Sequence, residues 1–414
     1  MLSVDEARDR ILSHICPLEP TKLDLLEALG LVLAKAVIAD VNLPPFRNSA
    51  MDGYAVRWED LRGASGSTPV RLDVRGESVA GHPAEMRVEP ETAVRIMTGA
   101  PVPEGATAVV RFEDVRLIDR HRESEDPNSE PMSIELITPC VEWQNVRQAG
   151  EDVSSGSRVL ERGIVLGPAQ LGLLAALNHE QVTVIRRPVV AVLSTGDEVV
   201  PIGPELRPGQ VRDSNSVLIA AMIRRAGASP RLLGIARDSE HDIKCKICEG
   251  QTADLIVTCG GVSVGDFDLV KNVLQREGAI ELWQVGIKPG KPMAYGFIGE
   301  TPLLGLPGNP VAAAVTFSQF GIPIIRRMLG MPYVVTSNMK ARLGTELWNL
   351  GGRRNFVRAV ARREGEELLV SPVPGQGSGS LAGLARANCF IVCAEDIEYV
   401  PAGSTVEIEM IDHE

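Results

Sequence analysis

Four short stretches combine glycine with acids in a way that suits a charged ligand. They are Ser194-Thr195-Gly196-Asp197-Glu198, Arg237-Asp238-Ser239, Cys259-Gly260-Gly261 running on to Ser263, Gly265, Asp266 and Asp268, and Pro307-Gly308-Asn309-Pro310. Glycine accepts unusual backbone angles and lets a ligand approach the main chain. Loop N–H groups and helix N-termini bind phosphate. Several carboxylates beside a phosphate repel it unless a cation intervenes, and magnesium takes one or two carboxylates plus phosphate oxygens and water. A single such Asp reads first as a helix cap. The set together favours a cation-assisted phosphate site. Lys288-Pro-Gly-Lys291-Pro292 is a rigid basic elbow. Lysine holds an oxyanion as a point charge, so the elbow suits a small anion. Arg353, Arg354 and the run Gln376-Gly-Ser378-Gly-Ser380 offer further donors.

Other chemistries are poorly supported. No GxxxxGK[ST] loop and no HExxH pair occurs, and none of the six histidines falls in the motif loops. The chain has 54 acidic against 42 basic residues, a net charge of −12, and only 4% aromatics. That balance argues against nucleic acid, which needs a basic face and stacking rings. No apolar run reaches the ~18–20 residues of a membrane span. The N-terminal segment is acidic and reads as a helix capped by Ser3 and Glu6, with Leu2, Ala7, Ile11 and Ile15 on one face. A cytoplasmic location is therefore expected. Seven scattered cysteines give no disulfide frame, and the single C-x-x-C, Cys245 and Cys248, is expected to hold reduced, partly buried thiols.

The elements that must position these loops follow from periodicity. Val189 to Leu193 is a continuous apolar strand of the kind buried on both faces of a parallel sheet. A helix (Ser216 to Ala226), a strand (Arg231 to Ala236), a helix (239–249), a strand (Asp254 to Thr258), a helix (Asp268 to Glu277) and a strand (Leu303 to Leu306) follow. That alternation predicts a doubly wound α/β domain whose ligand loops lie beyond the strand ends. Pro310 to Leu329 predicts one long helix, with proline at its first turn. Short β-like runs fill 46–146, with a polar loop from Asp119 to Pro131, and β-like runs return after Pro332. A helix is predicted over Lys22 to Leu33. The expected architecture is α/β plus β-rich and multidomain. It assigns 1–19 and 187–333 to the α/β domain, 20–45 and 147–186 to a helical linker domain, 46–146 to a β-rich insert and 334–414 to a C-terminal β domain.

Taken in order, the motifs resemble one family over nearly the whole chain. They are Ser49-Ala-Met-Asp52-Gly-Tyr-Ala55, Met97-Thr98-Gly-Ala-Pro-Val-Pro103, Arg147-Gln-Ala-Gly-Glu-Asp152, Ser194 to Glu198, Gly209 to Asn215, Gly260 to Gly265, Lys288 to Pro292, Gly305 to Pro310 and Gln376 to Gly379. The set is similar to the molybdopterin molybdenumtransferases, the MoeA and gephyrin E-domain family. The resemblance implies an elongated homodimer of four-domain subunits, with a MogA-like, molybdopterin-binding α/β domain and a barrel-like C-terminal domain. It implies insertion of molybdate into adenylylated molybdopterin with release of AMP, assisted by Mg2+. By motif, Glu198, Asp238 and Asp268 would be the metal-binding acids, and Asp52, Thr98 and Asp152 would complete the catalytic set from the partner subunit. Ser194, Thr195, Gly196, Gly260, Gly261 and Ser263 would line the cofactor site with Pro307, Gly308, Asn309 and Pro310. Lys288, Lys291, an arginine of the Arg353–Arg354 pair and Ser378 would hold molybdate. An upstream adenylyltransferase and downstream molybdoenzymes would be partners. Two alternatives remain: the preceding step, adenylylation of molybdopterin, and a dimeric peptide-binding scaffold of the gephyrin type.

Overall fold

The computed structural model describes residues 1–82, 84–118, 133–261, 279–332, 338–349 and 352–411. The expected helix from Asp268 to Glu277, the polar loop from Asp119 to Pro131, and the site candidates Ser263 and Asp268 lie outside them. The chain divides into two compact units, one of Met1–Lys35, Gly163–Gly167 and Gln181–Glu414, the other of Ala36–Arg162 and Pro168–Glu180.

Helix α1 (Val4–Ser13) opens the first unit. Ser3 accepts from the Glu6 N–H and Glu6 accepts from the Ser3 N–H, which closes the anticipated capping box. Val4, Ala7 and Ile11 are its buried stripe.

The predicted helix over Lys22 to Leu33 is not formed. Pro20–Asp24 is a strand, paired antiparallel with Gln181–Ile185, and turns follow to Gly30. The apolar spacing of Leu23, Leu26 and Leu31 mimics a helical period, but pairing with a strand more than 150 positions away overrides it.

The second unit is built on a six-stranded sheet of β1 (Gly53–Val56), β2 (Val70–Ser78), β3 (Thr92–Ile96), β4 (Ala108–Arg111), β5 (Val115–Ile118) and β6 (Ser133–Leu136), in the order β4-β1-β3-β2-β6-β5. Tyr54, Val56, Leu72, Val110 and Ile134 pack one core, while Ala55, Val94, Ile96 and Val109 pack another. The alternation of neighbours along β1 follows the two-residue repeat of a strand with both faces covered.

The first unit carries the doubly wound domain. Its elements are β7 (Val189–Thr195), α2 (Asn215–Arg225), β8 (Ser229–Ala236), α3 (Glu240–Gly250), β9 (Leu255–Cys259), β10 (Ala279–Gln284), β11 (Ile287–Lys288), β12 (Pro292–Ile298) and β13 (Thr301–Leu306). The sheet order is β8-β7-β9-β13-β12-β10. The first four strands run parallel, and β12 pairs antiparallel with both β13 and β10. Ala191 and Leu193 pack with Ile243 and Ile247 of α3. Val190 and Val192, which alternate to the other face, are also fully buried.

The long helix predicted from Pro310 is present with an interruption. Helix α4 (Pro310–Thr316) continues through a π turn at Phe317–Gly321 into α5 (Ile322–Met328). The C-terminal strands β14 (Met339–Leu343), β15 (Arg354–Glu364), β16 (Glu367–Pro372), β17 (Cys389–Cys393) and β18 (Thr405–Met410) follow in the order β15-β16-β14-β18-β17. A further pairing of β17 with β15 closes the ring, so the barrel expected at this end is a five-stranded one.

Candidate functional site

Every residue of β7 from Val190 to Thr195 is buried, which fixes it as a central strand. The chain goes from β7 outward to β8 on one side and later to β9 on the other. The sheet order therefore reverses between β7 and β9, and their carboxyl ends flank the crevice where such sheets bind ligands. Ser194-Thr195-Gly196 leaves β7 there and Gly260-Gly261 leaves β9. Gly196 has φ +129°, and a Cβ on it would sit 2.5 Å from Glu198 Oε2, so the Glu198 carboxylate folds back over a bare backbone. Gly260 has φ +100°, and a Cβ there would meet Thr195 Oγ1 at 2.9 Å. The Thr195 hydroxyl in turn donates to the Cys259 carbonyl at 3.4 Å. Ser194 donates to Asp213 Oδ1 at 2.8 Å, and the same oxygen accepts the Ser216 N–H at 3.1 Å, which ties the end of β7 to the start of α2.

The loops after β7 and β8 are laced to each other. The Asp238 N–H donates to Asp197 Oδ1 at 3.2 Å and the Asp197 N–H donates to Asp238 Oδ2 at 3.4 Å. Asp197, Glu198 and Asp238 are exposed. The Pro307–Pro310 loop closes the same edge. Asn215 Nδ2 donates to the Gly308 carbonyl at 2.7 Å, the Gly260 N–H donates to Leu306 O at 3.0 Å, and Asn309 stands at the N-cap position of α4, its carbonyl accepting the Ala313 N–H. Asn215 Oδ1 is buried without a hydrogen-bond partner among the described residues.

The basic elbow reaches this edge through the antiparallel return. Ala294 pairs with Gly305, so the start of β12 lies level with the end of β13. Lys291 precedes β12 and therefore emerges beside the Pro307–Pro310 loop. Gly290 has φ +123°, and a Cβ on it would meet Thr316 Oγ1 at 2.4 Å, so the elbow is pressed against α4. On its other side Lys288 pairs with Asn355 of the barrel strand β15. Lys288 is half-buried and Lys291 exposed, and neither forms an ion pair among the described residues.

Of the pair from which one arginine was expected to reach the oxyanion, Arg354 is already engaged elsewhere. Arg354 grips Asp5 of α1 with two hydrogen bonds, 3.1 and 2.8 Å, and lies 3.3 Å from Glu395, so its charge is already matched. Arg353 is half-buried. The arginine that meets the Gln376–Ser380 loop is Arg358, which the sequence reading missed. It is 1% exposed and donates to Ser380 O at 3.0 Å, Gly375 O at 3.1 Å and Gln376 Oε1 at 3.4 Å. Burial lowers its proton affinity below the usual arginine value, with no carboxylate bonded to it among the described residues. The Gln376 amide returns bonds to Arg358 O and Val373 O. The loop so held offers the Ser378 carbonyl to the Val311 N–H at 3.0 Å, in the first turn of α4. Its position four residues beyond the Arg353–Arg354 pair, in an apolar strand, is the signal that could have marked Arg358.

In the second unit, Asp52 Oδ1 accepts from the Thr98 N–H at 2.6 Å and from the Thr98 hydroxyl at 2.8 Å. These two bonds hold the Asp52 carboxyl below its ordinary value. Asp152 is exposed, and its N–H donates to Leu43 O. A separate polar cavity of roughly 110 Å³, lined by Asp5, Arg8, Gln319, Arg354 and Glu409 among others, includes none of these loop residues. Among the described residues no group of three metal-ligating side chains is assembled.

A doubly wound domain with glycine loops at its switch point and a lysine elbow beside them is the class of α/β protein whose crevice suits an anionic ligand. Comparison with known proteins narrows that class. Residues 2–178 match the MoeA N-terminal region (domain I and II), 191–327 a probable molybdopterin binding domain, and 340–411 the MoeA C-terminal region (domain IV). A molybdopterin molybdenumtransferase of Haemophilus influenzae is 39% identical, the match covering 100% of this chain and 99% of that protein. Molybdopterin molybdenumtransferase 2 of Mycobacterium tuberculosis is 37% identical over 99% of both chains. The crystal structure of a molybdopterin biosynthesis MoeA protein from Pyrococcus horikoshii superposes with a TM-score of 0.83 at 31% identity, covering 100% of both chains. The chain belongs to the MoeA family of molybdopterin molybdenumtransferases.

Proposed function

We propose that the chain transfers molybdenum from molybdate into adenylylated molybdopterin and releases AMP, as a cytoplasmic homodimer. The observation that carries this reading is the elbow of Lys288 and Lys291, two cations with no ion pair among the described residues, set beside the Pro307–Pro310 loop at the edge where the glycine loops open. An oxyanion on the lysines and a phosphate on the glycine loops would be held side by side, which is the proximity the transfer needs. Glu198 and Asp238 are exposed oxygen donors on laced loops, and this donor set fits magnesium, which they would hold with Asp268. Bound there, magnesium would neutralise charge on the phosphate oxygens. The lysines hold the molybdate dianion, Arg358 fixes the Ser378 loop against α4, and Asn215 fixes the Gly308 carbonyl. Asp52 and Thr98, already bonded to each other, would act with Asp152 from the partner subunit. Further partners in this reading are the upstream adenylyltransferase and downstream molybdoenzymes.

Among the described residues no helix is long and apolar enough to cross a membrane. The adenylyltransferase alternative is not favoured, because the curated relatives matched over full length are molybdenumtransferases. The test is AMP release from adenylylated molybdopterin with magnesium, with and without molybdate. Molybdate-dependent release is expected. Consumption of ATP with molybdopterin and no molybdate would establish the other reaction, and dimerisation with peptide binding but no AMP would establish a scaffold.

Lys288→Ala removes a half-buried point charge from the oxyanion. It is expected to raise the KM for molybdate by about tenfold to a hundredfold, the size of a charged hydrogen bond. Lys291→Ala, at an exposed position, should cost less. Steady-state kinetics with molybdate as the varied substrate checks this, and an unchanged KM in Lys288→Ala would remove the elbow from the site.

A further inference from the structure

Helix α3 carries three reactive side chains on its solvent face. Ile243 and Ile247 point into the sheet core, and the helical repeat then sends His241, Cys245 and Cys248 outward, all three exposed. The expectation of partly buried thiols is thus corrected for this pair, because the inward stripe of α3 is taken by the isoleucines. Cys245 Sγ lies 3.7 Å from His241 Nε2, one turn away. Residues three apart on an α-helix have Cα atoms about 5 Å apart by helix geometry. That separation falls within the range of about 4.4–6.8 Å that a disulfide spans. The Cβ atoms of such a pair lie about 5–6 Å apart, wider than the about 3.5–4.5 Å of a disulfide, so joining the sulfurs requires the last turn of α3, which ends with the Gln251 N–H on Cys248 O, to rearrange.

The remaining thiols give a contrast. Cys140, Cys389 and Cys393 are buried and pushed up to about 11, and burial raises Cys259 as well. Thiols so placed react slowly with disulfides. Cys16 is exposed but has no second cysteine in C-x-x-C spacing.

We infer that Cys245 and Cys248 form a reversible dithiol–disulfide site that exchanges with low-molecular-weight disulfides. The Cys245 sulfur attacks one sulfur of the small disulfide, its proton passing to His241 Nε2, and one small thiolate leaves. The Cys248 sulfur, losing its proton to solvent, then attacks the Cys245 sulfur and expels the second thiolate. Two protein thiols and one small disulfide become one protein disulfide and two small thiols, so the cysteines are oxidised and the small disulfide is reduced. This proposal does not rest on the transferase reading.

The test treats the folded full-length protein with oxidised glutathione near neutral pH, followed by alkylation and peptide mass mapping. The peptide holding Cys245 and Cys248 is expected to become two hydrogens lighter, reversibly with dithiothreitol, while Cys16 carries glutathione. Cys248→Ser should arrest the reaction with glutathione on Cys245, and His241→Gln should slow that adduct severalfold. Both positions are exposed, and far-UV circular dichroism confirms that the variants fold. Glutathione on both cysteines without an internal bond would overturn the proposal. So would an unmodified pair while Cys16 reacts, or equal rates in His241→Gln and the parent.

Discussion

Replacing Arg358 by alanine is expected to lower kcat/KM by about a hundredfold, the penalty of an ångström-scale misplacement of binding groups. It should also lower thermal stability by about 3 kcal/mol, from the three hydrogen bonds of its guanidinium. The guanidinium holds Ser380 O, Gly375 O and the Gln376 side chain at once. Without it the loop loses its internal brace, and the Ser378 carbonyl no longer presents a fixed acceptor to Val311 at the head of α4. Arg358→Lys keeps the charge but loses the planar fork, so it should recover part of the stability and little of the activity. Thermal unfolding and AMP-release kinetics on both variants check this. Activity within threefold of the parent in Arg358→Ala would show that the loop holds itself.

Gly53→Ala is expected to destabilise the sheet unit by about 3 kcal/mol or more, the upper range for overpacking. A Cβ at this position would lie 1.8 Å from the Val110 carbonyl oxygen and 3.0 Å from Arg111 Cα. Gly53 pairs with Arg111 on one side and Ile96 on the other, so β1 has no free direction in which to move. The ladder between β1 and β4 must part. Asp52 immediately precedes Gly53, and Thr98 lies two residues past Ile96, so the same displacement pulls at the Asp52–Thr98 bonds. Loss of activity should accompany the loss of stability. Denaturant unfolding followed by tryptophan fluorescence would report it, since Trp58 and Trp143 both pack against this unit's cores. An unshifted transition would mean that the strands yield more readily than their packing indicates.

Much of the α/β domain was legible because its signal is local. The unbroken apolar run from Val189 announces a strand covered on both faces, and the loops Ser194–Glu198 and Pro307–Pro310 follow their strands directly. The segment from Lys22 to Leu33 was misread because its true partner strand begins at Gln181, and no periodicity within the segment reports so distant a pairing. The π turn at Phe317–Gly321 was likewise hidden. A Cβ on Gly321 would enter the Phe317 ring at 2.2 Å, a packing demand between residues four apart that the run of small and apolar residues does not display. Arg358 was overlooked for the same reason. In sequence it is one more charge in a strand, and only folding shows that it points into the protein and meets the loop from 375 to 380. Arg354, the more obvious basic residue, was drawn instead to an acid on the first helix.

The lysine elbow hangs between two separate sheets. Lys288 is stitched to the barrel through Asn355, and Lys291 runs straight into the α/β sheet through Pro292. The backbone at the two ends of the elbow is therefore held by the architecture, one end by the barrel and the other by the α/β sheet. On the proposed reading, discrimination between oxyanions of different radius, sulfate against molybdate for instance, would then be tunable from within the barrel, by core residues such as Val357 on the strand that pairs with the elbow.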